Sequence, residues 1–225
     1  MTSRSTWLKA GWVLLGLAGG VAFVWLVVIR LVSKFHERGP CPYAFAWLVD
    51  NPYRRRQVGP LLDRIGIRPG ERVLELGPGP GAFTPAAAQQ TEPGGSLVAV
   101  DIQPAMIAAV ERKVRQAGLT NVETRVASAH ELPLDDESVD RAFLVTVLGE
   151  IPDRQRALAE LRRVLKPGGI LSITEQFMDP DYPLAATVIR WAGEAGLELA
   201  ERHGNWWTYT LNFRKPAQRG EEEEK

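Results

Sequence analysis

Cysteine is almost absent from this chain: Cys41 stands alone among 225 residues. A single thiol excludes an intramolecular disulfide framework and any zinc cluster built on cysteines. Histidine is nearly as scarce, and His36, His130 and His203 are scattered without metal-ligand spacing, so no metal is expected. Net charge is missing too. The 27 basic side chains balance 27 acidic ones, and nothing in the composition calls for a polyanionic partner.

What is present begins with a glycine loop. Residues 72–81 read Arg-Val-Leu-Glu-Leu-Gly-Pro-Gly-Pro-Gly, an apolar strand running directly into Gly77, Gly79 and Gly81. Glycines at such a turn let the backbone approach a ligand where a Cβ would collide. A helix expected to open near Ala82 aims its unpaired N–H groups at the same place. Asp101 ends the next apolar strand, Leu97-Val98-Ala99-Val100, where a carboxylate can accept both hydroxyls of a ribose. Gly77-x-Gly79-x-x-Ala82 also satisfies the dinucleotide fingerprint, with its acidic partner about 20 residues on. The loop therefore predicts a nucleotide-shaped ligand and leaves two cofactors open.

The rest of the chain narrows the choice. Glu75 lies two residues before Gly77. Downstream come Ala127-Ser128-Ala129-His130-Glu131-Leu132-Pro133 and Ser138-Val139-Asp140-Arg141-Ala142-Phe143. Residues 157–169 then end in Lys166-Pro167-Gly168-Gly169. This ordered set closely resembles the class I S-adenosylmethionine-dependent methyltransferases, in the branch that contains the ubiquinone and menaquinone C-methyltransferases (methyltransferase type 11-like). The likeness is strong over residues 58–175 and looser beyond.

The resemblance implies a role for each matching position. Gly77, Gly79 and Gly81 lie against the methionine part of S-adenosyl-L-methionine, and Glu75 organises the loop and the cofactor's ammonium. Asp101 holds the ribose and Ile102 packs on the adenine. Ser128 stands where an aspartate often takes a hydrogen bond from the adenine amino group, and Ala129 offers its backbone to the ring. Val145 and Thr146 match backbone contacts near the sulfonium. Methyl transfer is an in-line displacement, so the protein chiefly aligns the reactants and excludes water. Glu150 occupies a position where related enzymes often carry histidine and is the candidate catalytic group. Glu175, Asp179, Asp181 and Tyr182 also reach the sheet's carboxyl edge.

Alternating apolar and helical segments predict an α/β fold, a Rossmann-like, mostly parallel sheet covered on both faces. Strands are expected over 72–76, 97–100, 122–126, 139–145 and 170–174, with helices over 82–91, 104–117, 153–165 and 184–195. A hairpin of 197–203 and 206–213, joined through Gly204-Asn205, supplies the antiparallel final strand of class I methyltransferases. Trp206, Trp207 and Tyr209 read as core or sheet-face residues.

The N-terminus differs in kind. Residues 10–29 form a 20-residue stretch with no charge, flanked by Lys9 and Arg30 and carrying Trp12 and Trp25 toward its ends. At about 1.5 Å per residue it spans about 30 Å, a bilayer's hydrocarbon thickness. The apolar run is too long for a cleaved leader, so a single transmembrane helix over about 10–32 is expected before the α/β domain. Gly16 and Gly20 have the spacing of a helix-pairing face, compatible with a homodimer. Flanking charge does not orient the span. S-adenosylmethionine is a cytosolic metabolite, which places the catalytic domain on the cytoplasmic side.

The expected organisation is an anchor over 1–38, an aromatic and basic linker or lid over 39–57, the methyltransferase domain over 58–216 and an acidic disordered tail over 217–225. Tyr43, Phe45 and Trp47 followed by Arg54, Arg55 and Arg56 are expected to touch the membrane and border the pocket, with Arg55 meeting the cofactor's carboxylate. The only compact basic cluster thus lies beside the membrane segment, and no nucleic acid is expected as partner. The bilayer is the expected partner instead. Tethering favours a small lipid-soluble acceptor that is quinone-like, isoprenoid or phospholipid. The runner-up is methylation of a water-soluble thiol or amine, and a third possibility is a cofactor-binding membrane protein without turnover.

Overall fold

The computed structural model describes residues 50–217 together with Trp12, Gly16, Gly20 and Tyr43. The chain divides into two compact units, residues 1–38 and 39–225. In the first, Trp12, Gly16 and Gly20 are helical and exposed; the rest of the expected span, and residues 218–225 of the expected tail, lie outside the described residues. Among the described residues no helix is long and apolar enough to cross a membrane.

The continuously described part of the second unit begins with a helix that reaches back into the residues expected as linker. Helix α1 (Pro52–Ile65) starts where the Asn51 side chain accepts from the Arg54 N–H at 3.0 Å, with Pro52 in the first turn. An asparagine cap followed by a proline that needs no N–H partner is a strong helix start. It ends on Gly66 at φ 70°, whose N–H donates to the Leu62 carbonyl. The helix therefore runs across the boundary drawn at residue 58, and its buried Leu61, Leu62 and Ile65 belong to the core.

Strand β1 (Arg72–Leu76), helix α2 (Thr84–Thr91), β2 (Ser96–Asp101), α3 (Pro104–Gln116), β3 (Val122–Val126), β4 (Val139–Val145), α4 (Arg154–Val164), β5 (Leu165–Gln176), α5 (Ala185–Glu194), β6 (Glu198–Gly204) and β7 (Thr208–Arg214) follow. The seven strands form one sheet in the order β3-β2-β1-β4-β5-β7-β6. Pairing is parallel from β3 through β5 and antiparallel at β5–β7 and β7–β6. Inserting antiparallel β7 beside β5 departs from the all-parallel 3-2-1-4-5-6 sheet of dinucleotide-binding proteins, and it removes the nicotinamide alternative at the level of topology.

The central strands are buried on both faces, which is why they read as continuous apolar runs instead of alternating ones. Val73, Leu97, Ala99 and Phe143 pack with Leu61, Leu62, Ala87, Ala88 and Val110 from α1, α2 and α3. Their neighbours Leu74, Val98, Val100 and Leu144 turn the other way, against Leu158 and Leu161 of α4 and Val188 and Ala192 of α5. Buried Arg141 closes the amino edge. It donates to both Glu71 oxygens at 2.8 and 3.0 Å and to the Ile65 carbonyl at 2.8 Å, tying the end of α1 to the sheet.

Two expectations change here. β5 begins at Leu165, directly after α4, so Pro167-Gly168-Gly169 lies inside the strand as an irregularity between Val139↔Leu165 and Arg141↔Ile170 instead of preceding it. Tyr209 is fully buried, but Trp206 is 66% exposed and cannot be a core residue. The Asn205 side chain accepts from the N–H groups of Trp207 and Thr208 at the hairpin turn, and Trp206 rides on that turn outside the sheet.

Candidate functional site

A cavity of about 960 Å3 opens along the carboxyl edge of the sheet, the place where open α/β folds bind ligands. Glu75, Gly77, Gly79, Asp101, Ile102, Ser128, Ala129, Val145 and Glu150, all anticipated from sequence, line it together.

Gly77 and Gly79 hold φ of 67° and 54°, a left-handed conformation that side chains with a Cβ resist. At Gly77 the reason is internal to the protein. A Cβ there would lie 2.6 Å from a Val147 methyl, so the glycine lets the loop after β1 close against the loop after β4. Gly79 turns its N–H toward Asp101 Oδ2 at 3.3 Å. Gly81 is a correction: it is absent from the cavity wall and a Cβ on it would meet Val110 of α3 at 3.2 Å. Its carbonyl accepts from Lys113 Nζ, which also pairs with Asp50 at 2.7 Å. Gly81 thus fixes how α3 seats under the loop.

Asp101 is only 7% exposed. Its Oδ1 accepts from the Gln103 N–H at 2.9 Å, and burial raises its pKa against the pull of these backbone donors. Glu75 is more strained electrostatically. Burial pushes its carboxyl up to about 7, and its Oε2 has no hydrogen-bond partner. A buried carboxylate without compensation is costly, and a cationic ligand group beside it would remove that cost.

Beyond Asp101, the Ala127 N–H donates to the Asp101 carbonyl at 3.0 Å, so the loop after β3 emerges beside the end of β2. There Ile102 is 54% exposed at the cavity mouth. The Ser128 hydroxyl oxygen accepts from the His130 N–H at 3.2 Å, a local turn that already uses part of its accepting capacity.

The basic residue at the site is Arg54, not Arg55. Arg55 points outward and pairs with Asp50 at 2.8 Å, with its side chain 65% exposed. One position earlier on α1, Arg54 lines the cavity. It donates to the Thr146 hydroxyl at 2.6 Å and to the Val145 carbonyl at 3.3 Å, with its guanidinium 5.8 Å from the Phe83 ring centroid. Thr146 sits at φ 56°, unusual for a β-branched residue, and Arg54 grips it there. The Asn51-Pro52 helix start was the available signal, because it sets which arginine faces inward. Tyr53, Gln176, Met178, Asp179, Asp181 and Trp207 complete the wall.

The donor set fits a nucleoside carrying a zwitterionic tail. A carboxylate suited to a diol stands at the end of β2, and a buried carboxyl with one unpartnered oxygen stands under the glycine loop. A guanidinium from α1 lines the same cavity. These features gather at the carboxyl edge of a mixed seven-stranded sheet.

Comparison with known proteins agrees. Residues 74–173 match the family described as a methyltransferase domain. The arsenite methyltransferase of Halobacterium salinarum is 36% identical over 117 residues, covering 52% of this chain and 30% of that protein. The ubiquinone/menaquinone biosynthesis C-methyltransferase UbiE of Bordetella avium is 34% identical over 140 residues, covering 59% of this chain and 54% of that protein. The chain spans about half the length of such relatives, or less. A SAM-dependent methyltransferase from Aquifex aeolicus superposes with a TM-score of 0.73 at 23% identity, over 78% of this chain and 99% of that one. Residues 74–173 thus match a methyltransferase-domain family model, and the chain shares the fold of that solved methyltransferase.

Proposed function

We propose that the chain is a membrane-anchored methyltransferase that uses S-adenosyl-L-methionine to methylate a small, lipid-soluble acceptor, whether quinone-like, isoprenoid or phospholipid. The observation that carries the acceptor class is the cavity mouth. Tyr53, Ile102, Met178 and Trp207 line the cavity and remain 53%, 54%, 51% and 38% exposed. Trp206, 66% exposed, packs edge-on against Trp207. An apolar rim of this kind marks a surface meant to be covered, and indoles favour the membrane interface.

In this reading Asp101 holds the ribose hydroxyls and Glu75 pairs with the ammonium. Arg54 meets the carboxylate, and Ile102, Ser128 and Ala129 border the adenine. Gly77 and Gly79 admit the chain of the methionine. The cofactor supplies an activated methyl group with its own leaving group. The protein's work is to align the acceptor with the methyl and to keep water out. Residues 10–32 form the anchor, leaving the domain on the cytoplasmic face where the cofactor is made. Arsenite, the acceptor named for one relative, is thiophilic; a chain with one cysteine provides no paired thiolates for it.

Incubating membranes that contain the full chain with methyl-labelled S-adenosylmethionine tests the assignment. Label should enter the lipid extract, and the rate should fall at least tenfold when a detergent-solubilised enzyme is offered only water-soluble acceptors. Label confined to the aqueous phase would overturn the lipid acceptor.

A further inference from the structure

Strand β5 meets β7 through a row of polar side chains. Ser172, Thr174 and Gln176 alternate along β5 and so share one face, directly opposite Asn212, Thr210 and Thr208 of β7. The first two rungs close. Ser172 Oγ donates to Asn212 Oδ1 at 2.7 Å, and the Thr174 and Thr210 hydroxyls meet at 2.9 Å. The third rung is open, because Gln176 turns away from Thr208 and its Nε2 donates to Gln57 Oε1 of α1 at 2.5 Å.

The Thr208 hydroxyl is left buried with no hydrogen-bond partner among the described residues, although polar side chains opposed across a pair of strands ordinarily bond. Leaving such a group unpaired costs about 1–3 kcal/mol. A local rule broken at a cost to stability is the signature of a functional position. Here the break sends the Gln176 amide to the wall of the cavity.

Gln57 lies one turn along α1 from Arg54, on the same helix face. Arg54 reaches Thr146 just past β4, and Gln57 reaches Gln176 at the end of β5, so α1 is fastened to two adjacent strand ends. Among the described residues the bond to Gln57 is the one hydrogen bond of the Gln176 side chain. With the amide nitrogen committed to α1, the amide oxygen is the polar atom that Gln176 keeps for the cavity. Trp207 lines the same cavity. Its carbonyl accepts from the Phe177 N–H at 2.7 Å, locking the hairpin turn to the end of β5, and its indole is backed by the rings of Phe177 at 5.4 Å and Trp206 at 5.5 Å.

We propose that Gln176 positions the molecule to be methylated: its amide oxygen takes a hydrogen bond from an O–H or N–H of an uncharged substrate whose apolar body rests on Trp207. This inference rests on the methyltransferase reading and narrows its substrate class to apolar molecules that carry a hydrogen-bond donor. An amide whose orientation is fixed from behind by Gln57 holds its oxygen in one place, and the donor it accepts from sets the angle at which the substrate meets the methyl group. A substrate with no donor would bury that oxygen unpaired and is disfavoured by the same desolvation cost that Thr208 bears.

The test compares 1-naphthol with 1-methoxynaphthalene, which share a ring system and differ in the O–H, binding to the full detergent-solubilised chain saturated with S-adenosylhomocysteine. One neutral hydrogen bond predicts naphthol tighter by about fivefold or more. Gln176→Leu should abolish that preference while leaving methoxynaphthalene and S-adenosylhomocysteine affinity within about twofold of wild type. Gln176→Glu, which keeps an accepting oxygen, should retain it, a rescue that a purely structural role would not produce. Equal binding of the two probes by the wild-type chain, or a preference that survives Gln176→Leu, would overturn the assignment. Failure of S-adenosylhomocysteine to bind the wild-type chain would instead sink the methyltransferase reading, so the two failures are distinguishable.

Discussion

Replacing Asp101 with alanine is expected to weaken S-adenosylmethionine binding by roughly 100-fold. A carboxylate that accepts from two hydroxyls makes charge-assisted bonds worth about 1.5–3 kcal/mol each against water. Asp101 is held for that role: its oxygens are fixed by the Gly79 and Gln103 N–H groups, and only 7% of its surface is exposed. The alanine variant also releases the Gly79 N–H, so the glycine loop loses its tie to β2. Asp101→Asn keeps the shape and loses the charge, and should fall between the two. Calorimetry on all three proteins, with circular dichroism to verify the fold, checks this. Wild-type affinity in the alanine variant would remove Asp101 from the site.

Glu75 gives the second large effect, and its sign depends on pH. Its carboxyl titrates at about 7 in the folded chain against 4.5 as a free group. Between those values the folded state keeps a proton that the unfolded state has lost, so stability falls as pH rises through that window. It is level below about 4.5 and above about 7. At about 1.4 kcal/mol per pH unit the full loss is roughly 3–4 kcal/mol. Glu75→Gln stays neutral throughout. Urea unfolding without cofactor should therefore show the variant gaining roughly 3–4 kcal/mol over wild type at pH 8 and little at pH 4.5. Cofactor binding should move the other way, because the variant has no charge to offer the ammonium. A stability difference independent of pH would show that Glu75 ionises freely.

Both residues were legible in the sequence because their surroundings are local. Glu75 and Asp101 end adjacent strands whose apolar runs leave little choice of register, and the predicted strands 72–76, 122–126 and 139–145 match the observed β1, β3 and β4. What escaped notice depends on contacts between distant segments. Choosing Arg54 over Arg55 requires the rotational phase of α1, which the Asn51 cap sets. Gly81 looks like its loop neighbours until α3 is placed beneath it with Val110 against its backbone. Trp206 and Trp207 follow an alternation that the Asn205 turn interrupts. Glu175 reads as one of several acids at the sheet's carboxyl edge, and only the folded chain reveals its burial.

The β4–β5 end of the cavity follows the same rule. Glu150 is marked by family likeness, whereas Asp179 and Asp181, which line the same cavity, come from a loop some 30 residues later. Their convergence is a property of β4 and β5 pairing in parallel, with Val145 opposite Thr174, so that two successive carboxyl ends deliver their loops to one place.

Titrating the full detergent-solubilised chain with S-adenosylhomocysteine and, separately, with NADH tests the central claim most directly. One molecule of S-adenosylhomocysteine per chain should bind with micromolar affinity and NADH should give no saturable heat. Saturable NADH binding, or the absence of any S-adenosylhomocysteine signal, would contradict the account.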